Sequence, residues 1–134
     1  MRRLRHFEQK QGYALFCPVG KLSFDEMAEL FSQTVIHCRK HKIGKLLFDS
    51  TRLPQFQPPG ISKEFNLAAQ IAAASASLVK IAHVDTRKWI HWGEFTVIVA
   101  NNRGLNIENF QSASAALEWL LKPSETSIKP TKSA

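Results

Sequence analysis

Residues 45–53 read KLLFDSTRL, and this stretch decides the fold class. A short apolar run ends at Asp49, and two hydroxyl side chains and an arginine follow it. Short apolar runs bounded by polar residues are typical of buried strands. We therefore predict a buried strand over residues 45–49, followed by a loop rich in proline and glutamine over residues 50–60.

Strand and helix patterns alternate on both sides of this strand. Upstream, LRHF (4–7) and YALFCPV (13–19) predict a hairpin across EQKQG (8–12). Ser23 and Glu26 then have the spacing of a capping box, so a helix is expected to begin at Ser23, with Gly44 as the residue that terminates it. Downstream, the patterns predict an alanine-rich helix (61–77), a strand (78–84), a helix (88–102), a short strand (105–110) and a last helix from Ser112 to Pro123.

The resulting order is β-β-α-β-α-β-α-β-α. Strands that alternate with helices predict right-handed crossovers and a largely parallel sheet, to which the hairpin adds one antiparallel strand. We therefore expect an α/β protein with one domain over residues 1–122 and a mixed, mostly parallel sheet of about five strands with about four helices. Residues 123–134 have little to bury and are expected to be a disordered tail.

This order resembles that of the STAS superfamily (sulphate transporter and anti-sigma factor antagonist). The motifs that carry the resemblance are ALFCPVGKLSFDEMAEL (14–30), KIGKLLFDSTRL (42–53) and NNRGLNIENFQSASAALEWL (101–120). The last is similar to the end of SpoIIAA-like bacterial proteins. The resemblance covers residues 4–121 and implies a STAS-like fold with a signalling or binding role.

The best-known function of that family is a phosphorylation switch. Its serine stands in a D-S-S-G turn before the second helix, where this chain reads QFQPPGIS (55–62) and lacks the motif. Ser62 follows Gly60 without the neighbouring acid and hydroxyl. Ser50 and Thr51 match the earlier D-x-[ST] motif, whose usual role is local turn bonding. Ser50, Thr51 and Ser62 are the candidate turn or modification residues.

Aromatic side chains in two segments form the candidate binding site. Open sheets of this type bind ligands beyond the carboxyl ends of their strands. Phe56 lies in one segment that follows such an end, and Trp89, Trp92 and Phe95 lie in another. Some STAS-like proteins also resemble CRAL-TRIO lipid-binding domains. We predict that residues 50–60 and 86–95 dock a partner protein or a small apolar ligand; the alternative is that these aromatics cap the core.

The net charge of +7 is concentrated at the two ends of the chain. Five of the seven net positive charges lie within residues 1–12 and 122–134. These ends suggest an alternative function, a weak peripheral contact with anionic lipid or nucleic acid. The nearly balanced body disfavours nucleic acid. Because the chain has no ~20-residue apolar stretch and no apolar signal core, we expect a soluble, cytoplasmic protein.

Catalytic and metal sites are disfavoured by the sequence. Asp49 and His83 end or approach the ends of strands, but no nucleophile-elbow motif accompanies them. His37 and His41 have the i, i+4 spacing of metal ligands but lack a third ligand. We therefore expect a protein without enzymatic activity, cofactor or metal. Whether it forms a homodimer is left open.

Overall fold

The strand predicted over residues 45–49 forms the centre of a five-stranded sheet. The structure is a computed structural model that describes residues 6–53, 60–85, 104 and 106–122. Its elements, in chain order, are β1 (Phe7–Lys10), β2 (Tyr13–Phe16), α1 (Phe24–Lys40), β3 (Lys45–Asp49), α2 (Ile61–Ser75), β4 (Lys80–Val84), β5 (Ile107–Phe110) and α3 (Ala113–Leu121).

The strands lie side by side in the order β1-β2-β3-β4-β5. β1 and β2 are antiparallel, and β2, β3, β4 and β5 are parallel to one another. The predicted α/β class and mixed, mostly parallel sheet with an N-terminal hairpin are confirmed. The helix predicted over residues 88–102 and the tail predicted over 123–134 lie outside the described residues.

Both faces of the sheet are covered by helices. Because side chains alternate along a strand, Leu46 and Phe48 point into a core shared with α1 and α2, whereas Leu47 joins a second core with Leu120 of α3. This arrangement explains why β3 reads as a continuous apolar run. Within the residues that the structure describes, no helix combines the length and apolar character needed to cross a bilayer.

The start of α1 forms as predicted. The Glu26 amide donates to Ser23 Oγ at 3.1 Å, and the Ser23 amide donates to Glu26 Oε1 at 2.8 Å, so the capping box is complete. The prediction that Gly44 terminates this helix was wrong. Lys42 takes the left-handed conformation (φ 60°), which lets the Ile43 amide donate to the carbonyl of Cys38 at 2.8 Å.

The hairpin is displaced from its predicted position. β1 begins at Phe7 and includes Glu8, Gln9 and Lys10, which the sequence assigned to the turn. Polar residues are tolerated there because β1 is an edge strand whose side chains are largely exposed. β2 ends at Phe16, because Pro18 has no amide to donate to the neighbouring strand.

Two further boundaries differ by a few residues. α2 ends at Ser75 instead of Ser77, since Ala76 and Ser77 adopt positive φ angles of 49° and 61°. Because of this turn, β4 begins at Lys80 and not at Leu78, and the Leu78 side chain is exposed. The last strand is also shorter than predicted and begins at Ile107. Ser112 caps α3 as predicted, by accepting from the Ala115 amide at 3.2 Å.

Candidate functional site

Four parallel strands end at one edge of the sheet. Register pairs Phe16 with Phe48, Asp49 with Val84, and Val84 with Phe110, so the carboxyl ends of β2, β3, β4 and β5 lie in a row. Backbone bonds continue beyond the strands, from the Ser50 amide to the Val84 carbonyl and from the Asp85 amide to the Phe110 carbonyl, each at 3.0 Å. Ser50 and Asp85, the first residues beyond β3 and β4, are therefore held in place by the sheet.

A chain of hydrogen bonds crosses three of these strands. Ser50 Oγ lies 2.9 Å from His83 Nε2, and His83 Nδ1 lies 3.0 Å from Asn109 Oδ1. The register explains the meeting, since His83 pairs with Phe48 on one side and with Asn109 on the other. Ser50 follows Phe48 by two residues and so points to the same face. We call Ser50, His83 and Asn109 the polar relay.

The polar relay lies inside the protein. Ser50 is 4% exposed and His83 is 8% exposed, and the Phe48 ring stacks on the imidazole at 5.3 Å between ring centres. The direction of both bonds depends on the imidazole tautomer: with the Asn109 amide oxygen at Nδ1, the tautomer that satisfies both contacts carries its proton on Nδ1, and Nε2 then accepts from the Ser50 hydroxyl. The same hydroxyl lies 3.2 Å from the Val84 carbonyl, so its proton has two acceptors.

The relay has the connectivity of a nucleophile, a base and an orienting group. Ser50 would be the nucleophile, His83 the base, and Asn109 the group that fixes the imidazole tautomer. Burial of the hydroxyl limits this chemistry, because a nucleophile must reach the reacting carbon of its substrate. The same bonds also satisfy buried polar groups at the ends of strands, which is the usual reason for such bonds in a core.

The Asp49 side chain lies on the face of the sheet opposite to the polar relay. Its Oδ1 accepts from the Thr51 amide at 2.9 Å and from Thr51 Oγ1 at 2.6 Å, which makes a local turn. Asp49 is adjacent to Phe48 in β3, whereas His83 is paired with Phe48, so Asp49 and His83 project to opposite faces. The sequence had suggested that Asp49 and His83 could meet. In the structure, the side chain beside the imidazole is that of Asn109.

The cysteines show no sign of activation. Burial raises the pKa of the half-buried Cys17 thiol, the Asp49 carboxylate raises it further, and Arg52 opposes this shift. Burial raises the pKa of Cys38 to about 12. Because the thiolate is the reactive form, neither cysteine resembles an activated nucleophile. Both are free thiols.

The predicted site residues are divided between the two parts of the chain. Ser50 is buried in the polar relay, Thr51 is half-buried beside Asp49, and Ser62 is exposed in the first turn of α2. The aromatic residues of the predicted binding face, Phe56, Trp89, Trp92 and Phe95, lie outside the described residues. So do residues 1–5 and 123–134, which hold most of the terminal basic charge.

His37 in the last turn of α1 and His41, the residue that follows the helix, are arranged as a stacked pair. The His37 and His41 rings lie 4.1 Å apart between centres, and His41 Nδ1 is 3.0 Å from the His37 carbonyl. Burial and the neighbouring His41 lower the pKa of His37. Across residues 6–53, 60–85 and 106–122, no three His, Cys, Asp or Glu side chains come together as metal ligands would.

Asn109 is the site residue that the sequence reasoning missed. The signal was present in the two strand sequences KIAHV and IENF. In the observed register each places a polar residue, His83 or Asn109, on the same face as an isoleucine of the core. Their pairing depends on strand order and register, which a single sequence does not supply.

Comparisons with known proteins find similarity in structure alone. No family model matches the chain, and no curated protein matches it. A similar solved structure is described as an uncharacterized protein from the DUF3478 family with a SpoIIAA-like fold, from Shewanella loihica PV-4. The two chains are 20% identical over 85% of this chain and 90% of that chain, with a TM-score of 0.48. Within the described residues, the element order and the mixed, mostly parallel sheet are those that the sequence predicted.

Proposed function

We propose that this protein is a non-enzymatic binding or regulatory module. It docks a partner protein or a small apolar ligand at the carboxyl edge of its sheet, through residues 50–60 and 86–95. The observation that supports this proposal is the adjacency of β3 and β4 at that edge. Ligands of open α/β sheets characteristically bind there.

The two binding segments begin side by side. Asp49 pairs with Val84, and the described chain continues from these residues to Leu53 and Asp85. The sequence then proceeds into residues 54–59, which contain Phe56, and into residues 86–95. Aromatic side chains that start from neighbouring strands can contribute to one contact surface, where large aromatic groups commonly supply much of the binding energy.

The polar relay has a supporting role in this proposal. Ser50 on β3, His83 on β4 and Asn109 on β5 connect three strand ends with hydrogen bonds of 2.9 and 3.0 Å. A binding loop is most effective when its attachment points are rigid, because less freedom is then lost on binding. The relay keeps the bases of both segments at a constant separation.

A double substitution tests the proposal. Phe56→Ala with Trp89→Ala should remove binding of a fluorescent long-chain fatty-acid analogue and any apolar adduct or co-purified partner seen by native mass spectrometry. The matched control is Leu78→Ala with Leu121→Ala, which removes two exposed apolar side chains from the opposite end of the sheet. Circular dichroism checks the fold of both variants.

Three results would contradict the proposal. One is unchanged binding by a folded Phe56→Ala/Trp89→Ala variant, and another is equal loss of binding in the control. The third is a wild-type protein that carries no adduct, binds no analogue and retains no partner.

The polar relay favours a second candidate function, acyl transfer. Ser50 Oγ would bond to an ester carbon while its proton passes to His83 Nε2 and then to the departing alcohol, and water would release the acid. We place this candidate second because Ser50 is 4% exposed. Hydrolysis of p-nitrophenyl acetate by the wild type, lost in Ser50→Ala and retained in Ser62→Ala, would favour the enzyme.

A further inference from the structure

The outward face of α1 carries a stripe of regularly spaced residues, and the spacing continues to Leu22, just before the helix begins. These recur every three or four positions, as along the seam of paired helices: Leu22, Glu26, Glu29, Gln33, Ile36 and Lys40. An open groove of about 700 Å³ follows this stripe. Leu30 and Ile36 are half-buried in the middle of it, and Glu26 and Lys40 are exposed at its ends.

Residues at equal distances before and after Gln33 have side chains of opposite charge or of the same aliphatic character. Glu26 and Lys40 lie at equal distances before and after Gln33 and carry opposite charges. Leu30 and Ile36 lie at equal, shorter distances and are both aliphatic. In two antiparallel copies of one helix, residues equally spaced about the centre face each other. Each Glu26 would therefore meet a lysine, and each Leu30 would meet an isoleucine.

A third pair follows the same rule. Glu29 and His37 stand at equal distances from Gln33, and both line the groove. The acidic half of the stripe thus faces the half that contains Lys40, and Glu29 faces an imidazole whose lowered pKa favours the neutral form. Antiparallel packing also places the opposite ends of the two helix dipoles together, which is favourable.

We propose that the partner of this face is a second copy of the same chain. Two α1 helices pack antiparallel across a two-fold axis at Gln33, which gives an interface made of one patch repeated twice. The complementarity of charge and shape about a single residue is the reason to prefer a second copy over an unrelated protein, because another partner would not require this symmetry.

The α1 surface that would be buried in the dimer is small, so we expect the two copies to bind weakly. α1 has 17 residues, so it is about 25 Å long at ~1.5 Å per residue. One helix pair of this length is small beside a standard interface of roughly 1,600 Å². We therefore expect dissociation constants on the order of micromolar, and weaker association at high salt because the end contacts are ion pairs.

Charge reversal tests the geometry. Lys40→Glu opposes each Glu26 with a second carboxylate at both ends, and Glu26→Lys opposes each Lys40 with a second ammonium. Each variant alone should raise the dissociation constant roughly 10- to 50-fold. An equimolar mixture should associate again, since every end contact in the mixed dimer joins opposite charges.

Analytical ultracentrifugation over a range of concentrations measures these constants. Lys122→Glu is the control, because it makes the same charge change at the exposed end of α3, on the other face of the sheet. Circular dichroism verifies the fold, since Glu26 also caps α1. A monomeric wild type at millimolar concentration, an undiminished dimer in Lys40→Glu, or a mixture that stays monomeric would each overturn the proposal.

Discussion

Removal of the Ser50 hydroxyl gives a direct measure of the polar relay. In Ser50→Ala the bonds to His83 Nε2 at 2.9 Å and to the Val84 carbonyl at 3.2 Å are lost. A lost net hydrogen bond costs about 1 kcal/mol, and a buried acceptor left without it adds about 1–2 kcal/mol. Because His83 is 8% exposed, water has little access to replace the hydroxyl. We expect the free energy of unfolding to fall by about 2–3 kcal/mol.

Urea unfolding followed by circular dichroism measures this change. The midpoint should fall while the slope with denaturant stays constant, since the fold is retained. Ser62→Ala is the control, because Ser62 is exposed on α2 and its loss should change stability by less than about 0.5 kcal/mol. A similarly small change in Ser50→Ala would refute the reasoning.

The relay should also behave as a connected unit. Ser50 and Asn109 both bond to the imidazole of His83, so Ser50→Ala and Asn109→Ala share a partner. Substitutions that share a partner are generally not additive, with interaction energies of about 0.5–3 kcal/mol. Strict additivity in a double-mutant cycle would show that the two bonds act separately.

Three other substitutions or modifications follow from single contacts. Ser23→Ala removes half of the capping box and should destabilise the protein by about 1 kcal/mol in urea unfolding, with no change contradicting the cap. Lys80→Met should cost about 1–2 kcal/mol in the same assay, because Nζ donates to the Trp119 carbonyl at 2.9 Å and lies 4.4 Å from the Trp119 ring centre. With a pKa of about 12, only about one Cys38 thiol in 10⁴ is ionised at pH 8, so iodoacetamide should modify Cys38 only after unfolding, as read by mass spectrometry. Cys17 should react first, and equal rates in the native protein would contradict the burial of Cys38.

The fold was largely predictable because its signals are local. The apolar run of β3, the capping box of Ser23 and the cap of Ser112 each depend on residues within a few positions of one another. Local signals of this kind can be recognised in a single sequence. The errors at the ends of α1 and α2 occurred where the backbone adopts an unusual conformation in a residue other than glycine. Lys42, Ala76 and Ser77 all have positive φ, and lysine, alanine and serine rarely adopt this conformation, so their presence in the sequence does not predict it.

The candidate site was less predictable because it depends on pairing between distant strands. Ser50 and His83 are separated by 33 positions, and His83 and Asn109 by 26. The sequence identified His83 and Asp49 as residues near strand ends. It gave no register, so it could not show that the pleat turns Asp49 away from His83 and brings Asn109 to the imidazole.

The edge strand β1 affects the tendency of the protein to aggregate at high concentration. β1 is four residues long, and its Glu8 and Lys10 side chains form an exposed ion pair at 3.3 Å. Strand edges recruit other strands when they are long, flat and apolar, and charged side chains discourage that recruitment. The polar residues that displaced the hairpin from its predicted position therefore also make this edge a poor template for amyloid-like growth.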